Sequence, residues 1–132
     1  MIWNDSYSVG VKEFDDQHKS IILMLNELWK IVADPSKQEE LKKVVEQIND
    51  YARIHFSTEE HYLEKYKFYG LEDHKKEHLL YQDVVRQFQS RSEASESGIE
   101  VSLIEFLADW WMAHIQGSDM EYRRFLNNNG VS

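Results

Sequence analysis

His74 and His78 stand four residues apart, and so do His55 and Glu59. A step of four turns a helix by roughly 40° at 100° per residue, so both members of each pair project the same way. Imidazole nitrogens joined by a carboxylate on one face are ligands for a divalent metal. The chain carries six His, 24 Asp plus Glu and no Cys. Without cysteine, disulfides, iron–sulfur clusters and thiolate zinc sites are excluded, and a metal must be held by nitrogen and oxygen.

The apolar pattern around these residues decides which of them face inward. From Leu41 onward the stripe runs through Val44, Val45, Ile48, Tyr51, Ala52, Phe56, Tyr62 and Leu63, so His55 and Glu59 occupy slots that periodicity assigns to a core. His74 and His78 continue into Tyr81, Val85 and Phe88 on one face. His18 lies on the line of Ile21, Ile22 and Leu25, and His114 follows Trp110 by one turn. Four segments therefore each send an imidazole to a shared interior. A lone histidine on an apolar face is ordinarily a satisfied core residue. Five of them with a glutamate, and too few buried cations to neutralise the acids, need partners that a metal centre supplies at once. His61, two residues from Glu59, is turned roughly 200° away and reads as a surface residue. Asp119 lies roughly 140° around a regular helix from His114, so it shares their site only through a break, for which Gly117 is the obvious place. On spacing alone Asp119 is equally a capping or surface residue.

Long helices must position this set. One Pro and five Gly in 132 residues leave few chain breakers. Ser36 and Glu39 form the Ser-x-x-Glu pattern of a helix start, and Leu71-Glu72-Asp73 after Gly70 suits the first turn of another. Ser90 to Gly98 reads as a polar loop, and Gly117 and Asn127 to Gly130 mark the end of the last long segment. The first segment also carries Phe14, Leu28, Trp29 and Val32, the third Val84, and the fourth Leu103, Phe106, Leu107, Trp110, Trp111 and Ile115. The expected fold is all-α, an up-down-up-down antiparallel four-helix bundle forming one domain over residues 1–132, crossed by an extended arm with Trp3, Tyr7 and Val9. A net charge of −9 repels phosphate backbones and anionic lipid, which argues against nucleic acid or a membrane surface. The longest apolar run, Ile21 to Leu25, is too short for membrane insertion, and Met1 to Gly10 lacks a signal-peptide pattern. The expectation is a cytoplasmic protein whose partner is small and neutral or cationic.

The same residues resemble the hemerythrin family in its stand-alone bacterial form. The likeness spans essentially the whole chain: Trp3, Ser8-Val9-Gly10-Val11 and Asp15-Asp16-Gln17-His18, then His55-Phe56-Ser57-Thr58-Glu59-Glu60, His74-Lys75-Lys76-Glu77-His78, and Trp110, His114-Ile115 and Asp119. The resemblance implies two non-haem iron ions, one held by His74, His78 and His114 and the other by His18 and His55, with Glu59, Asp119 and a hydroxide or oxide as bridges. The spacing of five between His114 and Asp119 is the family's own, so the resemblance brings Asp119 into the site. Two octahedral irons offer twelve positions, and these ligands fill all but one, on the iron with two imidazoles. The resemblance implies reversible O2 binding there, drawing one electron from each iron and a proton from the bridging hydroxide. Ile21, Phe56, Trp110, Trp111 and Ile115 lie within a turn of the ligands and are expected to form a dry O2 pocket, while serving equally as core. Two departures from the family pattern stand out. Trp111 replaces a smaller apolar residue, narrowing the pocket, and Tyr69-Gly70 replaces a Tyr-Pro turn.

An oxidase is the alternative from the enzyme class, since di-iron bundles with four glutamates and two Glu-x-x-His motifs host such chemistry. No histidine here has a glutamate three residues before it. Two carboxylates among five imidazoles also stabilise high-valent iron less, which favours binding over oxidation. Oxygen or redox sensing is the nearer alternative. With no room after the fourth helix for an output domain, it needs a separate partner. Carriage, storage or delivery of O2 is the preferred reading, with an oxygen-consuming protein as the expected recipient. Ligand type alone leaves manganese or zinc open.

Overall fold

A computed structural model describes residues 2–93, with the backbone alone at 92 and 93, and residues 98–132. Helices α1 (Lys12–Ile31), α2 (Gln38–Lys65), α3 (Leu71–Glu93) and α4 (Ile99–Gln116) form the bundle, followed by the short α5 (Ser118–Glu121) and α6 (Arg123–Asn128). No strand occurs among the described residues. α1 packs on α2 and α4, and α3 packs on α2 and α4, which closes a ring of four.

The antiparallel order is written in the apolar residues on either side of the ligands. One buried cluster holds Ile21, Phe56, Tyr81 and Trp111, and a second holds Phe14, Leu63, Phe68 and Tyr122. Along α1 the chain passes from Phe14 through His18 to Ile21. Along α2 it runs the opposite way, from Phe56 through Glu59 to Leu63. The third passage runs from Phe68 through His74 and His78 to Tyr81, and the fourth from Trp111 through His114 and Asp119 to Tyr122. Each passage of the chain thus crosses one apolar layer, one polar layer and the other apolar layer, with the direction alternating.

Local chemistry sets the boundaries, and several differ from the sequence-based expectation. Ser36 does not cap α2. Asp34 accepts from the Ser36 backbone N–H at 2.9 Å and from its hydroxyl at 2.6 Å, which makes Pro35–Lys37 a 3-10 turn and delays the α-helix to Gln38. At the other end of α2, Lys67 takes a positive φ of 59°, and the Phe68 N–H reaches back to the Leu63 carbonyl at 2.8 Å, seating Phe68 in the core. The expected loop at Ser90 to Gly98 is corrected at its start, because α3 continues to Glu93. Residues 94–97 lie outside those described. Trp29, placed in the apolar stripe by periodicity, is 41% exposed.

The arm packs on the bundle as expected but is not extended throughout, because Asn4 accepts from the Ser6 N–H at 2.8 Å and winds Asp5–Tyr7 into a 3-10 turn. Asp15 accepts from the Ser8 hydroxyl at 2.5 Å and from the Val9 N–H at 2.8 Å. Val9 and Val11 are buried against Leu126 and Tyr122. Gly10 has a φ of +73°, a left-handed conformation that favours glycine. Asn127 then donates to the Gly10 carbonyl at 2.9 Å, tying α6 to the arm.

Candidate metal centre

Among the described residues eight polar side chains are buried, and seven of them are His18, His55, Glu59, His74, His78, His114 and Asp119. They form two overlapping clusters whose potential ligand atoms lie within 4.8 Å of one another: Glu59, His74, His78 and His114, and His18, His55, Glu59 and Asp119. His61 is exposed, as its angular position predicts.

Gly117 explains how Asp119 arrives. α4 ends at Gln116, and a Cβ on Gly117 would sit 2.8 Å from the Ala113 carbonyl oxygen, so the chain breaks where no side chain obstructs it. α5 then carries Asp119 inward. Its Oδ1 lies 2.9 Å from Nε2 of both His74 and His114, and its Oδ2 lies 2.9 Å from Nε2 of His18. Glu59 Oε1 lies 3.4 Å from His55 and His74, 3.2 Å from His78 and 3.9 Å from His114. Each carboxylate therefore touches imidazoles of both clusters.

The donor set fits metal ions better than it fits itself. Both Asp119 oxygens are buried and lack an aligned hydrogen bond despite the nitrogens at 2.9 Å. The Nε2 atoms of His18 and His55 face each other at 2.9 Å, and those of His78 and His114 at 3.2 Å. Two ligands at about 2.1 Å from one ion and at right angles stand about 3.0 Å apart, which is the spacing found.

Charge is balanced by protons when no metal is present. Burial lowers His74, but contacts with Asp119 and Glu59 outweigh it and raise the imidazole to about 9. His114 is also lowered by burial and raised further by Asp119, Glu59 and Glu77, ending well above its ordinary value. For His55 burial prevails over Glu59, and its pKa falls. Glu59 and Asp119 are pushed up by burial yet held below the usual carboxylate range by the surrounding imidazoles.

A second ring of contacts escaped the sequence reading. His78 Nδ1 pairs with Glu60 at 2.9 Å, and His114 Nδ1 with Glu77 at 2.8 Å. Ser118 donates to Glu77 at 2.7 Å. His55 Nδ1 bonds the Gln17 side-chain oxygen. The buried Tyr122 hydroxyl donates to Glu59 Oε2 at 2.5 Å. Tyr122 had a local signal, since a step of three from Asp119 keeps both on one helical face. Glu77 and His114 meet across two helices, and nothing in their spacing shows it.

Four of the five expected pocket residues, Ile21, Phe56, Trp111 and Ile115, are buried in one cluster. Phe56 stacks on His78 at 3.9 Å, and Trp111 lies 5.8 Å from His55 between ring centroids. Trp111 donates its indole N–H to the Tyr81 hydroxyl at 3.1 Å, which leaves only carbon facing the ligands from this residue. Trp110, the fifth, packs on the rim of the same cluster. It is partly exposed and stacks on His114 at 4.4 Å.

A four-helix bundle with buried imidazoles and carboxylates on its axis defines a class of metal-holding helical proteins. The model of the hemerythrin HHE cation binding domain matches residues 9–126, and the chain belongs to the hemerythrin family. It is 32% identical to a bacteriohemerythrin of Stenotrophomonas maltophilia, covering 92% of this chain and 78% of that one. A bacteriohemerythrin of Methylococcus capsulatus is 30% identical, covering 92% and 93%. A crystal structure of wild-type hemerythrin superposes with a TM-score of 0.86 at 30% identity, over 94% of this chain and 95% of that one. The family is one of cation binding, and the two buried clusters offer the ligands for it. No helix among the described residues is long and apolar enough to cross a membrane.

Proposed function

We propose that the chain binds O2 reversibly at a di-iron centre, for carriage, storage or delivery to an oxygen-consuming protein in the cytoplasm. His74, His78 and His114 hold one iron, His18 and His55 hold the other, and Glu59 and Asp119 bridge them. The observation that carries this reading is the double span of the carboxylates: Asp119 reaches His18 with one oxygen and His74 and His114 with the other. Two ferrous ions held by these residues would supply the electrons that O2 binding requires.

The protein's own residues make that binding reversible. Phe56, Trp111, Ile21 and Ile115 exclude water from the side of the cluster that His55 faces. Tying the Trp111 N–H to Tyr81 keeps a proton donor away from the same side. Tyr122 holds its proton against Glu59 Oε2, which leaves Oε1 to face the imidazoles. Gln17, Glu60 and Glu77 fix the orientations of His55, His78 and His114 from behind.

The test is anaerobic loading with ferrous iron, then addition and removal of O2, followed by visible absorption and resonance Raman. Two irons per chain and an O2-dependent band that disappears on deoxygenation are expected. Catalytic consumption of a reductant without such a band would overturn the proposal. His74→Ala should lose iron while His61→Ala keeps iron and O2 binding. Equal behaviour of the two would break the ligand assignment.

A further inference from the structure

The imidazoles of the two clusters are backed by different chemistry. Behind His78 stands Glu60 at 2.9 Å, and behind His114 stands Glu77 at 2.8 Å, itself fixed by Ser118. Both glutamates keep part of their side chains in solvent, 29% for Glu60 and 43% for Glu77. In the other cluster the neutral amide of Gln17 stands behind His55. His18 Nδ1 is buried with no hydrogen-bond partner among the described residues. Glu59 and Asp119 contact both sides, so they do not create the difference.

A carboxylate accepting the far N–H of a ligating imidazole raises the basicity of the ligating nitrogen, and losing such a partner typically weakens metal binding about 10–100-fold. A neutral amide orients the ring without adding that charge. We infer that the centre loads in a fixed order: the cluster of His74, His78 and His114, with carboxylates behind two of its imidazoles, takes the first ferrous ion tightly, and the cluster of His18 and His55 takes the second more weakly. Glu60 and Glu77 are positioning residues that set this inequality. The inference rests on the proposed two-ion centre. On that reading both ions would be needed for O2, so a half-loaded chain would hold iron without O2 capacity.

Anaerobic calorimetric titration of the metal-free protein with ferrous iron tests the order. Wild type should take up two equivalents in two resolved steps. Glu60→Gln and Glu77→Gln keep an acceptor for Nδ1–H and remove only the charge, at positions exposed enough to preserve the fold. Each should weaken the tight step about tenfold and leave the weak step in place. Gln17→Glu should tighten the weak step and narrow the gap. Two equal steps in wild type, a tight step unmoved by both Gln variants, or an effect confined to the weak step would each overturn the inference while leaving the two-ion centre standing. Uptake of one equivalent or none would instead overturn the two-ion reading, and the loading order with it.

Discussion

Gly117 is where the chain leaves α4 to bring Asp119 inward, and alanine at this position isolates that step. In an ordinary helix the exchange stabilises by about 1 kcal/mol. Here the new Cβ would stand 2.8 Å from the Ala113 carbonyl oxygen, and the obstacle is backbone that cannot rotate aside. The molecule has two responses. It can keep the break at an overpacking cost of about 1–3 kcal/mol. It can instead continue α4 through the site, which turns Asp119 roughly 140° away from the face of His114. The second response removes a carboxylate whose oxygens lie 2.9 Å from Nε2 of His18, His74 and His114. Thermal unfolding and iron content of Gly117→Ala, in metal-free and iron-loaded forms, separate the two. A retained break lowers Tm by about 3–5 °C for each kcal/mol in a chain of this size. A continued helix also lowers the metal-free Tm, because Asp119 and Tyr122 leave the core, and in addition weakens iron at least about tenfold, or about 1.4 kcal/mol, whereas a retained break keeps full iron content. Wild-type Tm in both forms together with full iron content would refute the claim that the break at Gly117 is what places Asp119.

Tyr122→Phe removes the hydroxyl from the buried Glu59 Oε2. It should cost about 1–3 kcal/mol of metal-free stability by urea denaturation and weaken iron uptake. Trp111→Leu should leave a cavity beside Phe56 and expose the Tyr81 hydroxyl to it, costing about 2–4 kcal/mol, and it should accelerate oxidation of the loaded protein in air. An unchanged decay of the O2-dependent absorption would show that Trp111 does not keep the pocket dry. The pH dependence of the metal-free fold follows from the imidazoles. His74 is raised from 6.5 to about 9, so its stabilisation is complete below about 6.5 and is lost as pH rises through about 9, a span worth about 3 kcal/mol. Glu59 and Asp119 are lowered, so theirs is present above the ordinary carboxylate range and is lost on acidification. His55, lowered by burial, works the other way and costs stability as pH falls below 6.5, so the metal-free Tm should be highest near pH 6.5 and fall on either side. A Tm that rises steadily from pH 6.5 to 10 would contradict this.

The parts of the molecule legible in its sequence are those whose signal is periodic. His55 and Glu59 replace apolar residues in an otherwise continuous stripe, so their burial follows from counting, and His61 fails the same count and is exposed. The rest depends on competition that counting does not see. Ser36 and Glu39 carry a capping pattern, but Asp34 reaches the Ser36 N–H first and holds a 3-10 turn. The polar run after Ser90 stays helical to Glu93 because serine and glutamate carry only a small helix-propensity cost that an existing helix absorbs. Asp119 needed the break at Gly117. The pairing of Glu77 with His114 joins residues on different helices whose relative height is set by packing rather than by local sequence.

Seven buried polar residues between two apolar layers would be a severe burden on a bundle of this size if they were unpaired. The geometry avoids this without metal. Glu59 and Asp119 are held ionised, and His74 and His114 are held protonated, so two anionic groups face two cationic ones. Those two protons stand where cations are to go. A metal can bind His74 and His114 only through unprotonated nitrogens, so filling the cluster must expel the protons that stabilised it empty. Metal uptake and proton release are therefore one event at this site. Iron should bind more weakly as pH falls below about 9, the value to which His74 is raised. A pH-stat titration with ferrous iron near pH 7 should record protons released with the first equivalent. No release there would mean that His74 and His114 are neutral in the empty site and that the carboxylates are balanced in some other way.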